Sequence, residues 1–339
     1  MPYRSTEFPS VRLGTPAWAL PTVVGTRRSV ARTGIDSPAP SESPFPAGVR
    51  TGTVTTENES GTFEVVDLPV HRLGFGAMRL TGEGVIGPPS DEDAARRVLA
   101  RAVELGVDFV DTADSYGPGV SERIVGEVLA DDAVPTEDVV VATKGGLLRN
   151  RDGDWLRHGD PDYLRDAVMK SADRLGVETI DLYQLHRPDP DVPLEDSLSA
   201  LAECVDDGQV RHVGLSNVSV EQLDRAREVV DVATVQNRYN VGYREHEEVL
   251  SACEDYGIGF VPWFPLAAGS LDGDDATGRA IREIAEAHDA TSHQVALAWL
   301  LQRSPVTLPI PGTSSVAHLE ENVGASAIEL SDEEMARLE

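Results

Sequence analysis

The stretch that decides the fold begins with Val139-Val140-Val141-Ala142-Thr143 and passes through the amphipathic segment Asp162 to Leu175. It ends with Ile180-Asp181-Leu182-Tyr183-Gln184-Leu185. The outer runs are short and apolar, which marks strands, while the segment between them repeats its apolar residues at helical spacing. Two strands joined through a helix lie parallel. The same unit recurs in both directions. Upstream stand the runs Leu73 to Ala77 and Phe109 to Asp111; downstream stand His212 to Leu215, Thr234 to Gln236, Gly259 to Pro262 and Val306 to Ile310, eight runs in all. Helical patterns alternate with them: Asp91 to Leu105, Ser121 to Leu129, Leu194 to Asp207, Val220 to Val229, Glu245 to Tyr256, Ser292 to Gln302 and, after the last run, Val316 to Ala325. This alternation over residues 61–339 predicts an α/β fold, a (β/α)8 TIM barrel. Thr62 to Arg72 reads as a short hairpin ahead of the first barrel strand. A doubly wound sheet is the alternative, but Gly74-Phe75-Gly76 lacks the third glycine of a dinucleotide fingerprint and leads into a loop.

The chain of 339 residues carries 58 Asp and Glu against 29 Lys and Arg, a formal net charge of −29. So negative a molecule is unsuited to gripping a phosphate backbone, which excludes an ordinary nucleic-acid binder. No run of about 18 apolar residues occurs, so no membrane-spanning helix is expected. The two cysteines, Cys204 and Cys253, show neither zinc nor disulfide spacing and suit a reducing, cytoplasmic setting. Only Lys144 and Lys170 are lysines, against 27 arginines. An acidic, lysine-poor surface resembles that of halophilic proteins, where salt screens the self-repulsion.

Residues 1–60 stand apart. They hold six Arg and five Asp or Glu, whereas residues 61–339 hold 23 basic and 53 acidic residues. Ser37-Pro38-Ala39-Pro40 and Ser43-Pro44-Phe45-Pro46, with no sustained apolar period, predict a disordered or weakly ordered tail. Arg27-Arg28 is followed by no apolar stretch, so an export signal is not expected. A translation start near Val49 or Val54 would account for the tail equally well.

In a barrel, chemistry collects at the carboxyl ends of the strands. Those ends carry Asp111, Lys144 and His186, with Tyr116 just beyond Asp111. Each has a plain alternative: a turn cap, a solvated loop charge, a core histidine, a packing ring. Their concentration on one rim favours a shared role, and Lys144 survives in a chain that has otherwise favoured arginine. An ammonium beside a phenol stabilises phenolate and is expected to pull the Tyr116 pKa down from about 10. Asp111 would hold Lys144 charged, and His186 would orient a carbonyl as its oxygen gains charge. The chemistry implied is protonation of an alkoxide formed by hydride addition from a bound cofactor. No metal is expected, since no rim shows His-x-His or a carboxylate cluster, which also disfavours a metal-dependent hydrolase.

Asp111-Thr112-Ala113-Asp114-Ser115-Tyr116-Gly117, Ser121-Glu122, Val141-Ala142-Thr143-Lys144, Asp181 to His186, Val213 to Asn217, Gln236-Asn237 and Ile310 to Asn322 together resemble the aldo-keto reductase superfamily. Within it, Gly82 to Pro89, Phe264-Pro265-Leu266 and Leu308 to Asn322 are most similar to pyridoxal reductase (pyridoxine 4-dehydrogenase) members. The resemblance implies that Tyr116 is the general acid/base, Lys144 and Asp111 its charged partners, and His186 the carbonyl-orienting group. It implies that Ser216, Asn217 and Gln236 hold the nicotinamide carboxamide and that Trp263 stacks on the ring. Phe264, Pro265, Leu266 and Ala267 would lie beneath the pyrophosphate, although many relatives have serine where Phe264 stands. Gly76, Ala77 and Met78 would approach the cofactor from the first strand. At the adenine end stand Gly312, Thr313, Ser314 and His318, then Glu321 and Asn322; Lys or Arg is common in this segment among relatives and is absent here. NADP is the expected cofactor, with NAD as the alternative. The implied activity is an alcohol dehydrogenase or carbonyl reductase acting on a small aldehyde, ketone or alcohol, pyridoxal being one candidate. The competing function is a cofactor-binding, redox-sensing regulatory subunit with little turnover.

Overall fold

Strand β1 (Thr62–Val65) pairs antiparallel with β2 (Leu68–His71), forming the hairpin expected before the barrel. These coordinates, a computed structural model, describe residues 57–150, 153–266, 271, 273 and 275–339. Of the segment read as tail, residues 1–56 therefore lie outside the described residues. Its last residues are ordered: Asn58 and Ser60 are buried, with Asn58 Nδ2 donating to Leu73 O at 3.0 Å and Ser60 Oγ accepting from Leu73 N at 2.9 Å.

Seven parallel strands follow in a continuous sheet: β3 (Phe75–Gly76), β4 (Phe109–Asp111), β5 (Val140–Gly145), β8 (Ile180–Leu185), β9 (Val210–Ser216), β10 (Val232–Gln236) and β11 (Gly259–Phe260). Every residue of β5 and β10 is buried, as expected of parallel strands covered on both faces. The eighth run closes the ring without becoming a regular strand. On one side Phe260 N donates to Val306 O and Leu308 N to Phe260 O, both at 2.8 Å; on the other, Gly74 N donates to Pro309 O at 3.0 Å and Gly76 N to Pro311 O at 3.4 Å. Pro309 and Pro311 have no N–H to return, so this seam receives donors from β3 alone.

The helices end where local chemistry stops them. Helix α1 (Glu92–Glu104) is capped by Asp91, whose carboxylate accepts from Ala94 N; α2 (Val120–Leu129) begins after Gly119 in the left-handed region. Helix α3 (Pro161–Leu175) has Asp160 as cap, Pro161 in its first turn and Gly176 as its left-handed stop. Then come α4 (Leu194–Asp206), α5 (Val220–Arg227), with the Ser219–Gln222 capping box, and α6 (Glu247–Tyr256). Helix α8 (Ser292–Arg303) has the Thr291–Gln294 box, and α9 (Val316–Gly324) is capped by Ser315.

Two strands and two helices go beyond the sequence reading. Strands β6 (Leu147–Arg149) and β7 (Trp155–Arg157) form a hairpin after β5, α7 (Ala276–Ala287) precedes α8, and α10 (Asp332–Leu338) packs on α7. The barrel interior is a separate apolar cluster in which Val65, Leu68 and Val70 of the β1–β2 hairpin join Phe109, Val140, Ala142, Leu182, Ala233, Val261, Leu308 and Ile310. The hairpin thus supplies apolar side chains to the interior. Outside, the helices bury a larger cluster against the strands.

Candidate active site

The strand ends converge on a cleft of about 810 Å³, within the size range of small-molecule and cofactor sites. Asp111 ends β4, Lys144 lies near the end of β5 and His186 follows β8 directly, so parallel register brings them to one rim. Lys144 is fully buried beneath the cleft wall, its Nζ donating to Asp111 Oδ2 and to Thr112 O, both at 2.7 Å. The other carboxylate oxygen of Asp111 accepts from Gln236 Nε2 at 2.7 Å and Gln184 Nε2 at 3.3 Å. The Lys144 ammonium stands 5.2 Å from the centre of the Tyr116 ring, and that ring meets His186 edge-on at 5.9 Å.

Burial pushes the Lys144 ammonium down, yet Asp111 and Tyr116 outweigh it and hold the group above its ordinary range, so it stays charged. Tyr116 departs from the sequence expectation. Burial pushes its phenol up, Asp111 and Asp114 add to this, and Lys144 only partly offsets them, so its pKa lies above the usual value rather than below it. Desolvation wins because the phenol is packed among side chains, with 7 % of its surface exposed. Burial, followed by the Lys144 and Arg187 charges, holds His186 well below its ordinary range. It is a neutral imidazole, with Nδ1 3.4 Å from the Ser115 hydroxyl.

Behind this rim, buried Glu122 accepts from Thr143 Oγ1 and from Arg174 Nε, both at 2.6 Å. Ser121 Oγ accepts from Thr112 Oγ1 at 2.8 Å and donates to Ala77 O at 3.1 Å. These contacts fasten β3, β4, β5 and α3 to one another around Lys144.

Of the residues read as cofactor contacts, Gly76, Met78, Asp111, Ser216, Asn217, Gln236, Trp263, Phe264, Pro265, Leu266, Gly312, Thr313, Ser314 and His318 line the cleft. Asn217 is held by its neighbours: Nδ2 donates to His186 O at 3.1 Å and Ser216 Oγ at 2.8 Å, and Oδ1 accepts from Trp263 Nε1 at 3.2 Å. Gln236, engaged with Asp111, keeps one N–H and its oxygen for other partners. Asn217 and Phe264 have φ of 59° and 60°. Asparagine tolerates this left-handed conformation, whereas phenylalanine is strained in it.

Other expected contacts fall elsewhere. Ala77 is buried and its carbonyl is taken by Ser121. Glu321 accepts from Thr291 Oγ1 at 2.6 Å, and Asn322 is buried on the inner face of α9; neither lines the cleft, which α9 reaches through His318. Glu320 is paired with Arg101 at 3.0 Å. Ala267 lies outside the described residues.

The cleft also exposes residues that the strand-end rule did not find: Arg79, Leu147, Trp155, Arg157, Arg187 and His293. Arg79 follows β3, and its Cγ lies so close to Gly312 that a Cβ on that glycine would meet it at 3.6 Å. The fixed positive charge missing from the segment after the eighth run thus enters the cleft from the first. Its position three residues after Gly76 was the available signal.

Among the described residues no group of acids, histidines and cysteines could hold a metal, and no helix is long and apolar enough to cross a membrane. An uncharacterised oxidoreductase of Schizosaccharomyces pombe is 47 % identical over 282 residues, 83 % of this chain and 90 % of the relative. Pyridoxine 4-dehydrogenase of Escherichia coli is 41 % identical over 287 residues, 83 % of this chain and 98 % of the relative. A Klebsiella pneumoniae aldo-keto reductase solved in complex with NADPH has a TM-score of 0.66 at 28 % identity, covering 80 % of this chain and 90 % of that one. Residues 72–339 match the aldo/keto reductase family, and with the barrel and its rim already described, the chain is a member of that family of oxidoreductases.

Proposed function

We propose that the protein is an NADPH-dependent carbonyl reductase in which Tyr116 donates the proton. The observation that carries this reading is the buried Asp111–Lys144 pair beneath a phenol that opens, with a neutral His186, onto the cleft. The residues suit a dinucleotide. Ser314, Thr313 and the N-terminus of α9 offer hydroxyl and N–H donors for phosphate, and Arg79 beside Gly312 adds a fixed positive charge. At the other end Gln236, Ser216 and Asn217 offer amide and hydroxyl groups for a carboxamide, beside the Trp263 ring. A reduced nicotinamide held there would supply the hydride for the carbonyl carbon.

His186 orients the carbonyl oxygen as a neutral hydrogen-bonding group, so no charge has to be buried before reaction. Tyr116 then gives its proton to the developing alkoxide. An alkoxide is far more basic than even a raised phenolate, so the transfer runs downhill. Lys144, kept charged by Asp111, stabilises the phenolate left behind. Glu320 is paired with Arg101, and neither Glu320 nor Glu321 lines the cleft, which supports NADPH over NADH. The buried free thiols of Cys204 and Cys253 support a cytoplasmic setting. The similarity to a pyridoxine 4-dehydrogenase makes pyridoxal the first carbonyl to assay.

Fluorescence titration with NADPH and NADH, followed by turnover with pyridoxal and simple aldehydes, tests the reading. Saturable NADPH binding with turnover is expected, and Tyr116→Phe should bind cofactor normally yet lose about a hundredfold or more of kcat. Tight binding without turnover by the wild type would favour the regulatory-subunit reading instead. Arg79→Gln should weaken NADPH about tenfold, by removing one charged phosphate contact.

A further inference from the structure

Two arginines stand in the cleft wall at the His186 end. Arg187 follows His186 directly, and Arg157 ends β7, the outer strand of the hairpin after β5. Neither guanidinium makes a hydrogen bond or an ion pair among the described residues. Arg79 and Arg238 share this, but Arg157 and Arg187 stand at one end of the same cleft, in a chain where acids outnumber Lys and Arg by two to one. Arg96, Arg101, Arg123, Arg165, Arg174 and Arg225 each hold a carboxylate within 3.1 Å.

The carboxylates nearby are occupied. Asp189, which feels the Arg157 charge, accepts from Gly159 N at 2.9 Å and Asp191 N at 3.0 Å. Glu245, which borders a small recess together with Arg187, accepts from Tyr243 Oη at 2.5 Å. The two guanidiniums repel one another: burial first, and then the Arg157 charge, hold Arg187 below its ordinary range. Two unpaired like charges on the wall of a cleft are relieved by an anion between them. Trp155, on the same hairpin as Arg157, has 42 % of its surface exposed and turns its edge to His186 at 6.5 Å, with the Arg149 guanidinium 3.9 Å over its ring. Arg149 Nη2 donates to Gly84 O at 2.9 Å, which ties the hairpin to the loop after β3.

We propose that the substrate is an anionic carbonyl compound, an aldehyde or ketone whose carboxylate or phosphate is held by Arg157 and Arg187 while its carbonyl meets His186 and Tyr116. This rests on the reductase reading and names the substrate class of the same cleft. Arg187 is the residue next to His186 and lines the cleft with it and Tyr116, so the anion is held at the same end of the cleft as the carbonyl. The cationic pair also reverses, locally, the repulsion that a molecule of net charge −29 exerts on any anion.

The test compares kcat/KM of the full chain with NADPH for two matched pairs at fixed salt: benzaldehyde against 4-carboxybenzaldehyde, and pyridoxal against pyridoxal 5′-phosphate. The anionic member of at least one pair should be preferred by about tenfold or more, and which pair shows the preference separates carboxylate from phosphate. Arg157→Gln and Arg187→Gln should each reduce that preference by about tenfold, through KM rather than kcat, while Arg157→Lys retains most of it. Equal or better use of the neutral members, or a preference that neither glutamine variant changes, would overturn the proposal. If no aldehyde is reduced, the reductase reading fails by itself. Quenching of tryptophan fluorescence by terephthalate against neutral terephthalamide then decides the anion site without turnover: stronger quenching by terephthalate that Arg157→Gln abolishes supports it, and equal quenching overturns it.

Discussion

Asp114 shows how much one misplaced charge can govern. Burial, reinforced by the negative Glu122, raises its carboxyl from 3.8 to about 7, and its Oδ1 is buried without a partner while Oδ2 accepts from Tyr163 Oη at 3.0 Å. In the unfolded chain the group ionises near 3.8, whereas the folded protein keeps the proton until about 7. Between those values the folded state binds more protons, so stability falls as pH rises through this window. Asp114→Asn should remove that slope and be more stable than wild type at pH 8, by up to about 4 kcal/mol, with little difference at pH 4. Thermal unfolding at both pH values checks it. Tyr116 carries the complementary kinetic prediction. Its raised pKa keeps the acid form present across neutral pH, so kcat for reduction should stay flat there and decline only in alkali. Alcohol oxidation needs the phenolate and should climb with pH over the same range, and a reduction rate that already falls across neutral pH would contradict this assignment. Asp111, Lys144, His186 and Tyr116 were legible because the barrel itself dictates where strand ends point. Ser121 and Glu122 were legible only as a pattern: the resemblance picked them out, and the contacts to Ala77, Thr143 and Arg174 explain them as fastenings of the rim. Arg157 and Arg187 depend on how a hairpin and a loop fold over the mouth, which no periodicity encodes.

Helix α2 illustrates why packing overrides propensity. Gly126 lies in its interior, where alanine ordinarily gains up to about 1 kcal/mol. Here a Cβ would stand 2.7 Å from the carbonyl oxygens of both Arg174 and Leu175, the last backbone turn of α3. Gly126→Ala should therefore lower the melting temperature instead of raising it, and should disturb Arg174 and the Glu122 beneath it. A melting temperature equal to or above that of wild type would show that the two helices can separate freely. Seven of the eight runs form the parallel sheet and the eighth its closing segment, and these runs were readable from their apolar content, as were most of the helices between them. Helix α7 was not, because its first turn grows out of an aspartate- and glycine-rich stretch and contains Gly278, although Ala280, Ile281, Ile284 and Ala285 bury one face as any amphipathic helix does. The β6–β7 hairpin escaped because Trp155, Leu156 and Arg157 are all exposed and give no burial alternation to read.

The net charge of −29 predicts a dependence of stability on salt. Pairs such as Arg96–Glu127 and Arg123–Glu92 engage many arginines, yet acids remain in large excess at the surface. Screening weakens both the pairs and the repulsion, and with a net charge of −29 the repulsion dominates. Melting temperature should rise by several degrees between 0.05 M and about 1 M potassium chloride, the Debye length shrinking from above 10 Å to about 3 Å. A melting temperature that falls over this range would show that the surface ion pairs outweigh the repulsion.

The proline-bearing seam has a bearing on how the molecule comes into being. The edge of β3 that Pro309 to Pro311 covers belongs to the earliest barrel strand, and its cover follows it in the chain by more than two hundred residues. Until that segment is synthesised, β3 presents an unpartnered edge, the kind that recruits stray strands. Two residues, Phe75 and Gly76, are all that form that strand. So short an edge gives a foreign chain little to zip against, and the ring can wait for its own final segment.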